Sequence, residues 1–374
     1  VITCDYLPDN IAHKYSDEYC NVSIIDKEAV LAAAKKLRID GIMSFACDPG
    51  VVTAAYVAEK LGLPTCGPYE SVCILQNKGR FRRFLAEHGF TVPTAKSFSS
   101  VEEALKEKDM FRWPVIVKPT DSAGSKGVTR VNDPENLEAG IRYALSFSHC
   151  EEFIIEDFIA QKGFSSDTDC FSVNGELKYV SFSSQRFDMR AENPYTPAAY
   201  SWPSSMSQMS RDELKNEIQR LLRLLNMGTS VYNIETREGT DGKAYIMEVS
   251  PRGGGNRLAE MIRFATGVDL IKNAVKAAIG EPVRDIEQKP YNGFWAEAIL
   301  HSDKPGTFCS LDISDELKRN VVETDLWIDK GMYVNGFSGA NKAVGTLVLK
   351  FETDDEMNEK MARIHKLVQV MTAE

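Results

Sequence analysis

The sequence predicts a mixed α/β fold, with a doubly wound parallel layer at the start and an α+β body after it. Three observations carry this. Residues 1–62 alternate strand and helix patterns at the spacing of a parallel sheet wrapped by helices. From about residue 113 onward the strands come instead as hairpins, with turn dipeptides at Asn174-Gly175 and Asp241-Gly242. The 374 residues are 43% hydrophobic and 26% charged, an ordinary globular composition with room for two or three domains.

In chain order, Val1–Asp5 is a strand that opens without a methionine. Ile24–Asp26 leads into a helix capped by Asp26, with Ala29, Val30, Ala33, Ala34 and Leu37 on its apolar face. Gly41–Ala46 reads as a second apolar strand, and Asp48-Pro49 opens a helix ending near Gly62. Such a layer usually begins with its own strand and helix, so roughly 30 further residues are expected before Val1. Asn77 enters a helix through Glu87, and Ser100-x-x-Glu103 is a capping box. Trp113–Pro119 and Gly127–Val131 are paired strands, Asp133-Pro134 opens a helix to Ser146, and Glu152–Ile159 is a strand. A hairpin joins Asp169–Val173 to Leu177–Ser183.

Gln185–Gln208 has no periodicity, and its Arg186, Arg190, Tyr195 and Trp202 suit either a substrate-covering flap or plain disorder. Ser210-x-x-Glu213 caps a helix to Asn226, and Asn256–Gly267 and Asp269–Gly280 are helices. Strands at Gly293–His301 and Ala343–Phe351 and a helix over Asp354–Val370 complete the tail. The expected division is 1–75, 76–285 with a lid at about 113–157, and 286–374.

A formal charge of −10 argues against a nucleic-acid face, and no apolar run approaches the length of a membrane span. Eight scattered cysteines without a CxxC pair read as reduced thiols of a cytoplasmic protein, and the five histidines lack metal-ligand spacing.

The chemistry centres on Val231–Arg257. A two-residue turn at Asp241-Gly242 would set Glu235 opposite Glu248, about 5 Å apart, where like charges repel. Alternation then puts Asn233, Glu235, Glu248 and Ser250 on one face and Tyr232, Ile234, Tyr245, Met247 and Val249 on the other. Two facing carboxylates invite a cation, and magnesium with nucleotide phosphates suits an all-oxygen site. The alternative is a solvated acidic face, and a three-residue bulged loop would slip the register and separate the carboxylates. Ser250-Pro-Arg252-Gly-Gly-Gly255-Asn256 adds a guanidinium and amides open to an anion. Upstream, Asp121-Ser122-Ala-Gly124-Ser125-Lys-Gly127 lacks the P-loop pattern, yet its small residues leave backbone N–H groups free to wrap a polyphosphate. Lys78 and Lys118 are candidate phosphate cations.

In this order, Asn77-Lys78, Trp113-Pro-Val-Ile-Val-Lys118, the loop ending in Gly127, Ile154-Ile-Glu156-Asp157-Phe158-Ile159, Asn233-Ile-Glu235 and Ile246-Met-Glu248-Val-Ser-Pro-Arg252 resemble the ATP-grasp superfamily of ligases. The resemblance implies two α+β lobes clasping ATP. It places Lys78 and Lys118 on phosphates, Ser122 to Gly127 closing over them, and Glu156, Phe158 and Ile159 at the adenine. Backbone groups of Asp157 and Ile159 would read the base. Glu235 and Glu248 would hold magnesium or manganese, with Ser250 as a weaker third ligand where the family often has asparagine. Arg252 would stabilise the transferred phosphoryl group, and Gly255 and Asn256 would anchor the substrate. The ribose-contacting acid is replaced by Gly163-Phe-Ser-Ser-Asp167, leaving Ser165 or Asp167.

The segment Glu248–Asn256 and the tail look closest to the carbamoyl-phosphate-synthase-like and L-amino-acid-ligase branch. The implied activity is ATP-dependent joining of a small-molecule carboxylate to an amine through an acylphosphate, with no nucleic-acid or membrane partner and with a homodimer admitted. Two alternatives stand beside it: an ATP-binding regulatory protein without turnover, and a ligase modifying a protein or a cell-envelope precursor.

Overall fold

The computed structural model describes residues 1–122 and 124–373. Ala123, inside the expected phosphate loop, lies outside the described residues.

The first layer is smaller than expected. Ile2–Asp5 pairs in parallel with Glu18–Asn21, and this pair forms a two-stranded sheet. Helices Lys27–Leu37, capped by Asp26, and Asp48–Leu61, with Pro49 in its first turn, pack beside it. Gly41–Ala46 is not a strand: no neighbouring edge is offered to it among the described residues, and Ala46 donates its N–H to the Gly253 carbonyl instead.

A four-stranded sheet runs Ala95–Phe98, Phe153–Asp157, Val115–Pro119, Thr129–Val131 in spatial order, so it draws in a strand upstream of Trp113. The helices Val101–Lys106, capped by Ser100, and Leu137–Leu145 cover one face around Phe98, Val117, Ile141 and Phe153. A second four-stranded sheet, in spatial order Ala244–Ser250, Ser230–Glu238, Ser166–Val173, Glu176–Val180, buries Tyr232, Ile234, Ile246 and Val249 against helices Tyr69–Gln76, Lys78–Glu87 and Gln208–Leu224. That last helix is capped by Ser207, not Ser210: Ser207 accepts from the Ser210 N–H, and Ser210 is buried inside the first turn.

Within the stretch from Gln185 to Gln208 the structure has two strands where the sequence shows no periodicity. Ser184–Phe187 and Pro197–Trp202 are strands of a five-stranded sheet whose other members come from the tail: Phe294–Leu300, Gly345–Phe351 and Val321–Leu326. Tyr200 and Trp202 are buried. Strands covered on both faces show no apolar–polar alternation, which hid them. The tail helix also ends early, at Ala362, and Val368–Ala373 is a strand paired with Gly306–Ile313, its side chains alternating half-buried and exposed. No helix among the described residues is long and apolar enough to cross a membrane.

Candidate functional site

The acidic hairpin has the expected pairing, Glu235 opposite Glu248 and Asn233 opposite Ser250, but by another route. Near the turn Glu238 faces Ala244, which implies a five-residue loop rather than Asp241-Gly242 alone. Met247 is then an extra residue, a bulge between the pairs Thr236–Ile246 and Glu235–Glu248, and it restores the register. Beyond the bulge the faces exchange. Tyr245 lies opposite Arg237, on the acidic side, while Ile246 takes the core position expected of Tyr245 and Met247.

The neighbouring strand extends this face. Asp167 lies opposite Glu235 and Asp169 opposite Asn233, so two rows cross three strands: Asp167, Glu235, Glu248 and Asp169, Asn233, Ser250. Asn233 Nδ2 donates to Asp167 Oδ1 at 2.8 Å and Asp169 Oδ1 at 3.2 Å, and the Gly254 N–H donates to Asp169 Oδ1 at 2.8 Å. Asp169 Oδ2 is buried without a partner among the described residues. Burial, then the adjacent Glu235, pushes Asp167 up to about 7, and burial pushes Asp169 to about 7. Hard carboxylate oxygens facing across the hairpin have the chemistry a divalent cation takes, although among the described residues no three carboxylates of this face bring ligand oxygens within 4.8 Å of one another.

Cations converge from the helix Lys78–Glu87. Lys78 Nζ donates to the Ser122 carbonyl at 2.9 Å and lies 3.4 Å from Glu248 Oε1, tying the small-residue loop to the acidic face. Lys118 Nζ lies 2.7 Å from Glu156 Oε2, and Arg82 Nε lies 2.6 Å from Glu156 Oε1. The side chains of Glu156, Arg82 and Lys118 are 3%, 4% and 13% exposed, so this is a buried triad. Burial opposes ionisation of Glu156, but Arg82 and Lys118 outweigh it and hold the carboxyl at about 2. Arg82 also donates to the carbonyls of Ile246 at 3.1 Å and Met247 at 3.0 Å, at the bulge. The Glu156 side chain is thus committed to these two cations, which leaves only its backbone groups for any contact with a base.

After Glu156, Asp157 uses its N–H on the Thr94 carbonyl and its Oδ1 on the Arg112 N–H. Phe158 lies under the Arg130 guanidinium at 4.3 Å, and the Ile159 carbonyl accepts from Arg237 at 3.5 Å. Ser165 is fully buried and donates to Gln185 Oε1 at 2.9 Å. Asp167 faces Glu235 and accepts from Tyr200 at 3.3 Å, inside the acidic row. In the loop Gly124 and Ser125 have positive φ, and Ser125 Oγ donates to the Tyr195 carbonyl at 3.1 Å.

Arg252 is held by a two-point pair with Asp48, Nε to Oδ1 at 2.8 Å and Nη2 to Oδ2 at 2.6 Å. Ser250 Oγ donates to the same Asp48 Oδ1 at 2.8 Å and accepts from Gln76 at 2.6 Å, so its hydroxyl is engaged away from Glu235 and Glu248. The glycines that follow fit tightly. A Cβ on Gly253 would lie 2.3 Å from the Phe45 ring, and one on Gly254 would lie 2.5 Å from Leu258 Cδ1 and 2.8 Å from Asp169 Oδ1. Gly255 faces open space, and Asn256 turns the chain with φ 52°.

Sequence reasoning missed Arg82, Asp48, Asp169 and the buried Glu297. Arg82 had a signal: it stands four residues after Lys78, on the same helical face. Asp167 and Asp169 are two apart, the period of one strand face, but a strand starting at Asp169 excluded the first of them.

The family described as the ATP-grasp domain matches residues 111–260. The large chain of carbamoyl phosphate synthase from Ralstonia nicotianae is 26% identical over 227 residues, 60% of this chain and 20% of that protein. The chain therefore spans about a fifth of the length of the first curated relatives it matches. Among solved structures, L-amino acid ligase from Bacillus licheniformis superposes with a TM-score of 0.77 at 19% identity, over 96% of this chain and 88% of that one. The biotin carboxylase domain dimer of Hydrogenobacter thermophilus 2-oxoglutarate carboxylase, in complex with MgADP, ADP and bicarbonate, does so with 0.72 at 16% identity, over 97% and 83%. Residues 111–260 of this chain thus match the ATP-grasp domain, and the likeness to the solved structures extends over nearly the whole fold.

Proposed function

We propose, with the ATP-grasp domain as premise, that the protein is an ATP-dependent carbon–nitrogen ligase joining a small carboxylate, such as an amino acid, to an amine. The observation that carries this reading is the meeting of three separate segments: Glu235 and Glu248 face each other, and Lys78 bridges Glu248 to the backbone of the small-residue loop.

In this reading Lys78 and Lys118 bind ATP phosphates, and Ser122, Gly124, Ser125 and Gly127 cover them. The segment Asp157–Ile159 borders the adenine, and Glu156 acts through Lys118 by fixing its position. Glu235 and Glu248, with Asp167 and Asp169 behind them, would hold magnesium or manganese, and the MgADP in the Hydrogenobacter structure supports this choice. Such an ion, when bound, neutralises charge on phosphate oxygens. Arg252, its plane fixed by Asp48, faces charge developing on the transferred group, and Gly255 and Asn256 border the substrate. The carboxylate oxygen attacks the γ-phosphorus, the bond to the bridging oxygen breaks and ADP leaves. The amine then attacks the acyl carbon, expelling phosphate and losing a proton. We place the domains at 1–75, 76–285 and 286–374, the last two sharing the five-stranded sheet, and eight unpaired cysteines accord with a cytoplasmic setting.

The test is ADP release with magnesium over a matrix of amino acids, other small carboxylates and amines, with Glu248→Gln as control. Substrate-dependent ADP release that falls about 10²–10³-fold in the control is expected, the scale of one lost electrostatic contact. Background release across the matrix would overturn the reading. ATP binding without turnover would favour the regulatory alternative, to which the engaged Ser250 hydroxyl lends its one structural argument.

A further inference from the structure

A cavity of about 440 Å³ lies between the five-stranded sheet and the C-terminal segment, with Ala199, Ala298, Leu300 and Met361 among its walls. Ala199 and Ala298 oppose each other across strands, and Tyr200, the next residue, points to the other side, where its hydroxyl reaches Asp167. The sheet thus separates this cavity from the acidic face.

Its polar centre is Arg186, 8% exposed. The guanidinium lies 4.1 Å from the Phe164 ring centroid, and Nη2 donates to Asn358 Oδ1 at 2.8 Å. Nε is buried without a partner, and among the described residues no carboxylate comes within ion-pair distance of this arginine. The nearby acids turn to other partners, Asp188 and Asp303 both to Arg190 and Asp188 also to His301. Burial pushes the Arg186 guanidinium down to about 10, with only Asp354 opposing. A buried cation lacking a counter-ion destabilises the fold, and an anion placed beside it removes that penalty.

We propose that this cavity is a second ligand site, distinct from the ATP-grasp site, which takes the carboxylate of a small aliphatic acid on Arg186 and its hydrocarbon body against Ala199, Ala298 and Leu300. Among the lysines, arginines and carboxylates of the lining, Arg186, Arg190 and Lys304 against Asp188 and Asp303 leave one positive charge, which matches a monocarboxylate, and the planar guanidinium suits a two-oxygen acceptor. Asp188 and Asp303 disfavour a dianionic phosphate in the same place.

Isothermal titration of the full chain with hexanoate, hexylamine and hexyl phosphate tests this. Saturable binding of hexanoate alone is expected, weakened at least about tenfold in Arg186→Met. Asn358→Asp sets a carboxylate of the protein itself beside Nη2; it should keep or raise the melting temperature and abolish hexanoate binding, so loss of binding is separable from loss of fold. Glu248→Gln, across the sheet, should bind hexanoate like the wild type even if the ligase reading fails. The proposal is overturned by absence of hexanoate binding to the wild type, by unchanged binding in Asn358→Asp, or by tighter binding of the phosphate or the amine.

Discussion

Replacing Glu156 with glutamine removes the anion from between two buried cations while keeping the side chain's shape. Two lines of arithmetic give its cost. The carboxyl falls from an ordinary 4.5 to about 2, which at about 1.4 kcal/mol per unit amounts to roughly 3 kcal/mol of stability at neutral pH. Removing one partner of a buried ion pair costs about 3–5 kcal/mol independently of that reasoning. The two agree, and either is a large share of the roughly 5–15 kcal/mol that holds a domain folded. Urea unfolding of the wild type, Glu156→Gln, Arg82→Met and the double variant would measure it. Glu156→Gln leaves Arg82 and Lys118 facing each other without an anion, and the double variant leaves one cation. Its loss should therefore be smaller than the sum of the singles by about 1–3 kcal/mol. The sign with pH is also determined. A depressed carboxyl contributes fully above about 4.5 and loses that contribution as pH falls toward 2, a slope that Glu156→Gln should lack. A Glu156→Gln protein within about 0.5 kcal/mol of the wild type, or strict additivity in the double, would refute the reasoning.

Asp167 and Asp169 titrate in the opposite sense. Raised from 3.8 to about 7, they bind protons more tightly folded than unfolded, so without metal their contribution to stability should decline as pH rises across that window, in thermal melts with and without magnesium. For the same reason magnesium affinity should weaken below about pH 7. Gly254→Ala should cost about 1–3 kcal/mol, since its methyl meets Leu258 and Asp169, whereas Gly255→Ala should stay within about 0.5 kcal/mol, as denaturation of the two will show. Glu297 is fully buried with both oxygens unpartnered among the described residues, and burial pushes it well above its ordinary range. Glu297→Gln should be the more stable protein at neutral pH, and melting curves should converge as pH falls toward about 4.5.

How much of this was legible in the sequence depended on how local the cause was. Asp26, Asn77 and Ser100 cap their helices through bonds to residues three further on, and each was readable from its own few neighbours. The order of the motifs from Lys78 to Arg252 was legible because each carries a distinctive residue pattern within a few neighbouring positions. Contacts closed by the fold were not. Asp48 looked like a helix start, and its carboxylate serves Arg252 more than two hundred positions away. Pro197–Trp202 was illegible because it is buried between Ser184–Phe187 and a strand from the tail, so its residues show no alternation. The facing glutamates were anticipated from a turn the chain does not make, and the bulge at Met247 compensates for that difference.

That bulge frees the far end of the hairpin from the carboxylates. Arg82 grips the chain at Ile246 and Met247, so residues 239–243 can change length without sliding Glu248 along its neighbour. The same tip touches the segment leaving the smaller sheet, with Thr240 donating to the Ala160 carbonyl and Lys162 to that of Glu238. A short fluorescent insert there should sense whether added ATP moves the two sheets relative to one another, while leaving the acidic pair undisturbed.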